Sequence, residues 1–162
     1  MEYKISQIEQ ILFTGKQNIP WNDVEIYLKQ YIGLKYIVNE YGDEIQIPGN
    51  FPDEFSESRY TKKLRGAIAK AKANTASIID QLIANATNKR WLINKEHKHE
   101  KSASGGWYRY DSYFGLPVMG NGEETARLNI FKATLVVKIN ENGLFLYDII
   151  DIKKEASTPL ES

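Results

Sequence analysis

The sequence predicts an α+β domain in which N-terminal helices pack on a three- to four-stranded antiparallel β-sheet formed mainly by the C-terminal half. Two observations carry this. Apolar residues recur at helical spacing up to about Ala86, and after Asn88 the period changes to two. A run of helices followed by a run of strands builds an α+β fold rather than a βαβ winding. The 162 residues suit a single domain. It divides into a helical region over 1–33, a helix-plus-sheet core over 34–156 and a tail over 157–162 expected to fray.

Ile5, Ile8, Ile11 and Leu12 fall at helical spacing and predict a first helix over 3–13, stopped by Gly15. Pro20 and Asn22 introduce a second near Asp23–Tyr31, with Val24, Tyr27, Leu28 and Tyr31 on one side. Tyr36–Val38 and Ile45–Ile47 flank Tyr41-Gly42-Asp43 and read as a small hairpin. Pro48, Gly49 and Pro52 make the next segment a loop. The long stretch Ser58–Ala86 reads as helix, in one piece or two, with an apolar stripe that includes Leu64, Ile68, Ala71, Ile78, Ile79 and Leu82. Gly66 and Asn74-Thr75 are its weak points.

Trp91-Leu92-Ile93 is a short strand candidate. Trp107–Phe114 alternates large aromatics with polar residues, as a half-buried strand does. Leu128–Ile139 is rich in β-branched residues, Asn142-Gly143 supplies a turn, and Leu144–Ile152 returns as the partner strand.

Composition excludes several functions. With no cysteine there is no disulfide framework, thiolate metal site or cysteine nucleophile. No stretch approaches the roughly 20 apolar residues of a membrane helix, and Met1-Glu2-Tyr3-Lys4 lacks a signal peptide's apolar run. The expectation is a cytoplasmic protein with no membrane partner. There is no Gly-rich phosphate loop, Gly-x-Ser-x-Gly or zinc-protease helix, and no cofactor is expected. Net charge is zero, yet residues 56–101 hold 11 Lys/Arg against 4 Asp/Glu. A basic middle can offer a cationic face to a polyanion, although charge runs also occur as plain solvated surface.

The densest chemistry lies in Lys95–Tyr110. His97 and His99 are the only histidines and share one face if that segment is extended. The nearby lysines argue against a metal, leaving exposed loop histidines or acid–base groups. Trp107-Tyr108-Arg109-Tyr110 places Tyr108 and Tyr110 on one strand face and Trp107 and Arg109 on the other. One pair can enter the core while the other stacks bases and binds phosphate. Metal-free RNA cleavage needs a base for the 2′-OH, an acid for the leaving oxygen and cations for the phosphorane, and the stretch Glu96–Tyr110 contains that inventory. Lys95, His97, Lys98, Lys101, Trp107 and Tyr108 are the candidate nucleic-acid contacts. Asp148, Asp151, Lys153, Lys154 and Glu155 end the last strand, where charges also serve as edge guards.

Four stretches resemble domains of phage and conjugative-element polyvalent proteins and of phage head-morphogenesis (MuF-type) toxins. They are Phe51-Pro52-Asp53-Glu54-Phe55, Lys70-Ala71-Lys72-Ala73-Asn74, Gly106-Trp107-Tyr108-Arg109-Tyr110, and Leu146-Tyr147-Asp148-Ile149 running on to Glu161. Some such domains are grouped with the barnase/EndoU/colicin/RelE-like nuclease fold, in which helices pack on a four-stranded antiparallel sheet whose face binds RNA. The resemblance, over about residues 34–161, implies His99, Arg109, Tyr110, Lys153 and Glu155 as catalytic candidates. His97 has no firm counterpart. It implies a metal-independent ribonuclease-like domain with RNA as partner, or a non-catalytic domain binding nucleic acid or an immunity or host protein, including a counter-defence protein.

Overall fold

A computed structural model describes residues 3–15, 18–94, 101–119 and 126–159. The element order is β1 (Ile5–Gln7), α1 (Trp21–Leu28), β2 (Lys35–Ile37), β3 (Glu44–Gln46), α2 (Phe51–Glu57), α3 (Arg59–Lys63), α4 (Gly66–Asn74), α5 (Ile79–Ala84), β4 (Thr87–Leu92), β5 (Trp107–Met119), β6 (Ala126–Asn140) and β7 (Gly143–Pro159). The α+β class holds, but the sheet is larger than expected. Among the described residues it has seven strands, in the order β1-β5-β6-β7-β3-β2, with β4 also paired to β5. Two of its pairings, β1 with β5 and β3 with β7, are parallel.

The long antiparallel meander β5-β6-β7 is the part most strongly encoded locally. Period-two burial places Tyr110, Phe114 and Leu116 of β5 and Phe131, Ala133, Leu135 and Val137 of β6 in one apolar core. Phe114 stacks on Phe131 with ring centroids 5.3 Å apart. The β6–β7 turn is Glu141-Asn142, one residue earlier than Asn142-Gly143; Gly143 opens β7 opposite Asn140 with φ +126°, which a side chain would resist. Strand β7 runs to Pro159, opposite Arg127. Arg127 holds that end by donating from Nε to Ser157 Oγ at 2.9 Å.

The N-terminal helix expected over 3–13 is instead strand β1 and an extended segment. A short isoleucine-rich run satisfies either periodicity locally. The outer edge of β5 decides between them: β4 pairs with its first half, and β1 covers Tyr113–Gly115 beyond it. Asn74 on α4 then receives the extended segment. Its Oδ1 accepts from the Leu12 and Phe13 backbones at 2.8 and 3.1 Å, and its Nδ2 donates to the Phe13 carbonyl at 3.0 Å.

The loop expected at Pro48–Pro52 ends earlier than the prolines suggest, because α2 begins at Phe51 with Pro52 in its first turn, where a missing N–H is harmless. The helical stretch expected over 58–86, in one piece or two, divides at both weak points. Leu64 and Arg65 are extended, Gly66 takes φ +61°, and Thr75–Ile78 tightens into a 3₁₀ turn. Ser58 caps α3 by accepting from the Thr61 backbone at 3.3 Å.

Helices α4 and α5 pack on the curled sheet, and Ser112 of β5 donates to the Leu82 carbonyl at 2.8 Å. The curl brings opposite ends of the sheet together. Asp43, in the β2–β3 turn, accepts from Tyr110 Oη of β5 at 2.7 Å and pairs with Lys89 of β4 at 2.7 Å. Thr87 of β4 also donates to Glu40 at 2.9 Å.

Burial, and then the Asp43 carboxylate, push the Tyr110 phenol far above its ordinary value; burial does the same at Tyr31. A folded pKa above the unfolded value of about 10 gives stability that is complete below pH 10 and is lost as pH rises further. Urea stability is therefore expected to fall above pH 10, each unfolded-state phenol adding a slope of about 1.4 kcal/mol per pH unit. Tyr110→Phe is expected to cost about 1–2 kcal/mol at pH 7 and to flatten that alkaline slope. An unchanged slope in the variant would show that Tyr110 titrates normally.

Candidate functional site

The most unusual side chain in the molecule is Lys72, which is fully buried on α4. Its ammonium lies 2.8 Å from Asp148 Oδ1 on β7 and 2.6 Å from Thr61 Oγ1 on α3. The rings of Phe55 and Tyr60 stand 4.6 and 5.0 Å away. Thr61 donates its hydroxyl to the Phe55 carbonyl at 2.6 Å, and Asp148 also accepts from the Ile149 backbone at 2.7 Å. Desolvation pulls Lys72 below its ordinary value and Asp148 above its own, each opposed by attraction to the other. The contact is a hydrogen bond wherever the shared proton resides.

A half-buried second tier adjoins this pair. Glu54 of α2 hydrogen-bonds the Tyr147 phenol; burial first, and this carboxylate second, raise that phenol's pKa. Lys138 of β6 is 5% exposed; its ammonium lies 4.6 Å over the Tyr147 ring and 3.3 Å from Ser102 Oγ. Burial lowers its pKa, and Glu54 partly offsets that. Trp107 meets Tyr147 edge to face at 5.2 Å. A β-bulge builds this corner: the ladder passes from Val137↔Leu146 to Val136↔Asp148, leaving Tyr147 as the extra residue. A cavity of about 190 Å³ opens here, lined by Pro48, Asn50, Ser102, Lys138, Asn140 and Phe145.

Arg109 sits two residues beyond Trp107 on the same side of β5, opposite Val136. Its Nε is buried and makes no hydrogen bond. A guanidinium N–H withdrawn from water without an acceptor is costly.

The sequence candidates fall into separate places. Lys95, His97, Lys98 and His99 lie outside the described residues. Lys101 is exposed in the turn that leads into β5. Trp107 and Arg109 share the half-buried corner. Tyr108 lies on the core side of β5, and the Lys89 ammonium already occupies its ring at 4.2 Å. Tyr110 is fully buried and bonded to Asp43, so it serves the core and closure of the sheet rather than an RNA-facing surface. Lys153 and Glu155 are exposed on β7. Lys153 stands opposite Lys132, whereas Asp148 stands opposite Val136, the neighbour of Arg109. On β6 four residues separate these two positions, roughly 13 Å at about 3.3 Å each. The structure therefore brings Arg109 and Trp107 together but does not add Tyr110, Lys153 or Glu155 to them.

Four residues outside the candidate set complete the corner: Glu54, Lys72, Lys138 and Tyr147. Glu54, Lys72 and Tyr147 come from segments 51–55, 70–74 and 146–161, which meet here. Lys138 carried a weaker signal, a lone cation ending a β-branched strand. Among the described residues, Glu25, Asp53 and Glu57 form a surface group with carboxylates within 4.8 Å of one another. No protein-family model, curated protein or solved structure significantly matches this chain.

Removing one member of the Lys72–Asp148 pair leaves the other buried without a partner. Lys72→Met is expected to lower unfolding free energy by about 3–5 kcal/mol, and Lys72→Met/Asp148→Leu to recover much of that loss. Urea denaturation of both variants measures it. A double variant no more stable than the single one would show that the pair does not act as a unit.

Proposed function

We propose that this chain is a metal-independent, ribonuclease-like domain that binds single-stranded RNA at the corner formed by Trp107, Arg109 and Lys138. The observation that carries the reading is the buried, unpartnered Arg109 Nε beside an aromatic residue and a second cation. A phosphate oxygen would satisfy that N–H in a charge-assisted hydrogen bond. Trp107 offers a ring for base contact, and Lys138, its cross-strand partner on β6, adds positive charge beside it.

In the cleavage reaction, His99 acts as the acid–base group, as the resemblance implies. The 2′-oxygen loses its proton to a base and attacks phosphorus; the P–O5′ bond breaks, and an acid protonates the leaving 5′-oxygen. The products are a 2′,3′-cyclic phosphate and a 5′-hydroxyl. Arg109 and Lys138 offset the extra charge on the phosphorane. Use in a phage or mobile element rests on the resemblance alone.

A second reading, non-catalytic RNA binding, is favoured by the separation of Lys153 and Glu155 from Arg109. Incubation of purified protein with several single-stranded RNAs and tRNA in excess EDTA distinguishes the two. The proposed activity gives cleavage with wild type and a loss of about 10²-fold or more in His99→Ala. Binding without cleavage supports the second reading. Both readings require Arg109→Ala to weaken RNA binding about tenfold, the effect of one charge-assisted contact. Equal affinity in that variant would remove this corner as the RNA site.

A further inference from the structure

A second cavity, of about 230 Å³, lies between the segment entering α1 and the α2–α4 helices. Its volume is far above the roughly 10–15 Å³ that one water needs. Ile19, Trp21 and Leu64 give it apolar walls, and Lys62 and Arg65 stand at it as exposed cations. Arg65 is held in place: its Nη1 donates to the Lys62 and Leu64 carbonyls at 2.9 and 2.7 Å. No carboxylate lines the cavity among the described residues. Glu57, the residue after Ser56, feels the Lys62 charge.

The decisive residue is Ser56. It is 3% exposed, lines this cavity, and its Oγ has no hydrogen-bond partner. A helical serine usually returns its hydroxyl to the carbonyl four residues back; this one does not. Buried hydroxyls are nearly always paired, so the free one marks a place where a partner is missing. Thr61, which lines the same cavity, cannot supply it: its hydroxyl is committed to the Phe55 carbonyl and to Lys72.

We propose that this cavity is a binding site for a small organic carboxylate. Its oxygens accept from Ser56 and face Lys62 and Arg65, and its apolar body rests against Trp21, Ile19 and Leu64. The site is independent of the RNA corner. The apolar walls favour an organic acid over inorganic phosphate, which has no body to place against them.

Benzoate serves as the probe, followed by amide chemical shifts of the full chain. Saturable shifts confined to Asn18–Trp21 and Ser56–Ala69 are expected. Ser56→Ala and Arg65→Gln are each expected to weaken binding about tenfold. Neither substitution removes a core apolar group, and the unliganded spectrum reports whether each variant keeps the fold. Benzyl alcohol, which lacks the charge, is expected to bind at least about tenfold more weakly. Absence of saturable shifts in these residues, shifts from inorganic phosphate as strong as those from benzoate, or unchanged affinity in both variants would overturn the proposal.

Discussion

A lysine ammonium cut off from water has to be satisfied entirely by protein, and Lys72 imposes that condition on the centre of this fold. Its carbon stem forms part of the wall between α4 and the sheet, so the charge sits where apolar groups would otherwise pack. It is tolerable because three elements deliver acceptors at once: Asp148 from β7, Thr61 from α3 and the ring face of Phe55 from α2. Such a pair adds little to stability compared with an apolar replacement, but it strongly penalises any arrangement that separates its partners. It therefore fixes the relative placement of α2, α3, α4 and β7. The bulge at Tyr147 is part of the same requirement, since it turns the Tyr147–Asp148 pair toward Glu54 and Lys72.

The sheet solves its edge problem by curling. A seven-stranded sheet has two outer edges that invite other strands. Here one edge carries both β4 and β1, and the other ends in the short β2–β3 hairpin. The Asp43, Lys89 and Thr87–Glu40 contacts tie these two ends to each other. Tyr110 is the inner anchor of that closure, which explains why a residue embedded in an aromatic, cationic motif belongs to the core. On β5 the period-two rule sends its neighbours Trp107 and Arg109 to the other side.

The local elements were legible because their signals are local. Alternation over β5 and β6, the β6–β7 turn and the helix breaks at Gly66 and Asn74-Thr75 all follow from a few adjacent residues. The parallel pairings were not legible. Strand β1 has three residues, and its state is settled by an edge more than 100 residues away. The same holds for the site. Motif reading found Arg109 and Trp107 from their own sequence neighbourhood. It could not find that Lys138 is almost buried, because that depends on Ser102, Trp107 and Tyr147 meeting across three segments. Strand alternation already set Tyr110 on the face opposite Arg109; it was the resemblance that grouped the two as catalytic candidates.

The basic middle of the chain takes on a different meaning once its cations are placed. Among the described residues it is not one cationic face. Lys72 is buried against Asp148, Lys89 is paired with Asp43, and Arg90 with Asp111. Lys62 and Arg65 stand at a separate cavity from Lys138. Net charge is zero, and these three pairs neutralise part of the basic middle from within. Recognition of phosphate at the Trp107–Arg109–Lys138 corner would rest mainly on short-range contacts. There a low local dielectric strengthens each hydrogen bond, and the unpaired Arg109 N–H gains more from an acceptor than a solvated surface cation does. Affinity built this way depends less on ionic strength than binding by a broad basic patch, because few counterions are released per contact.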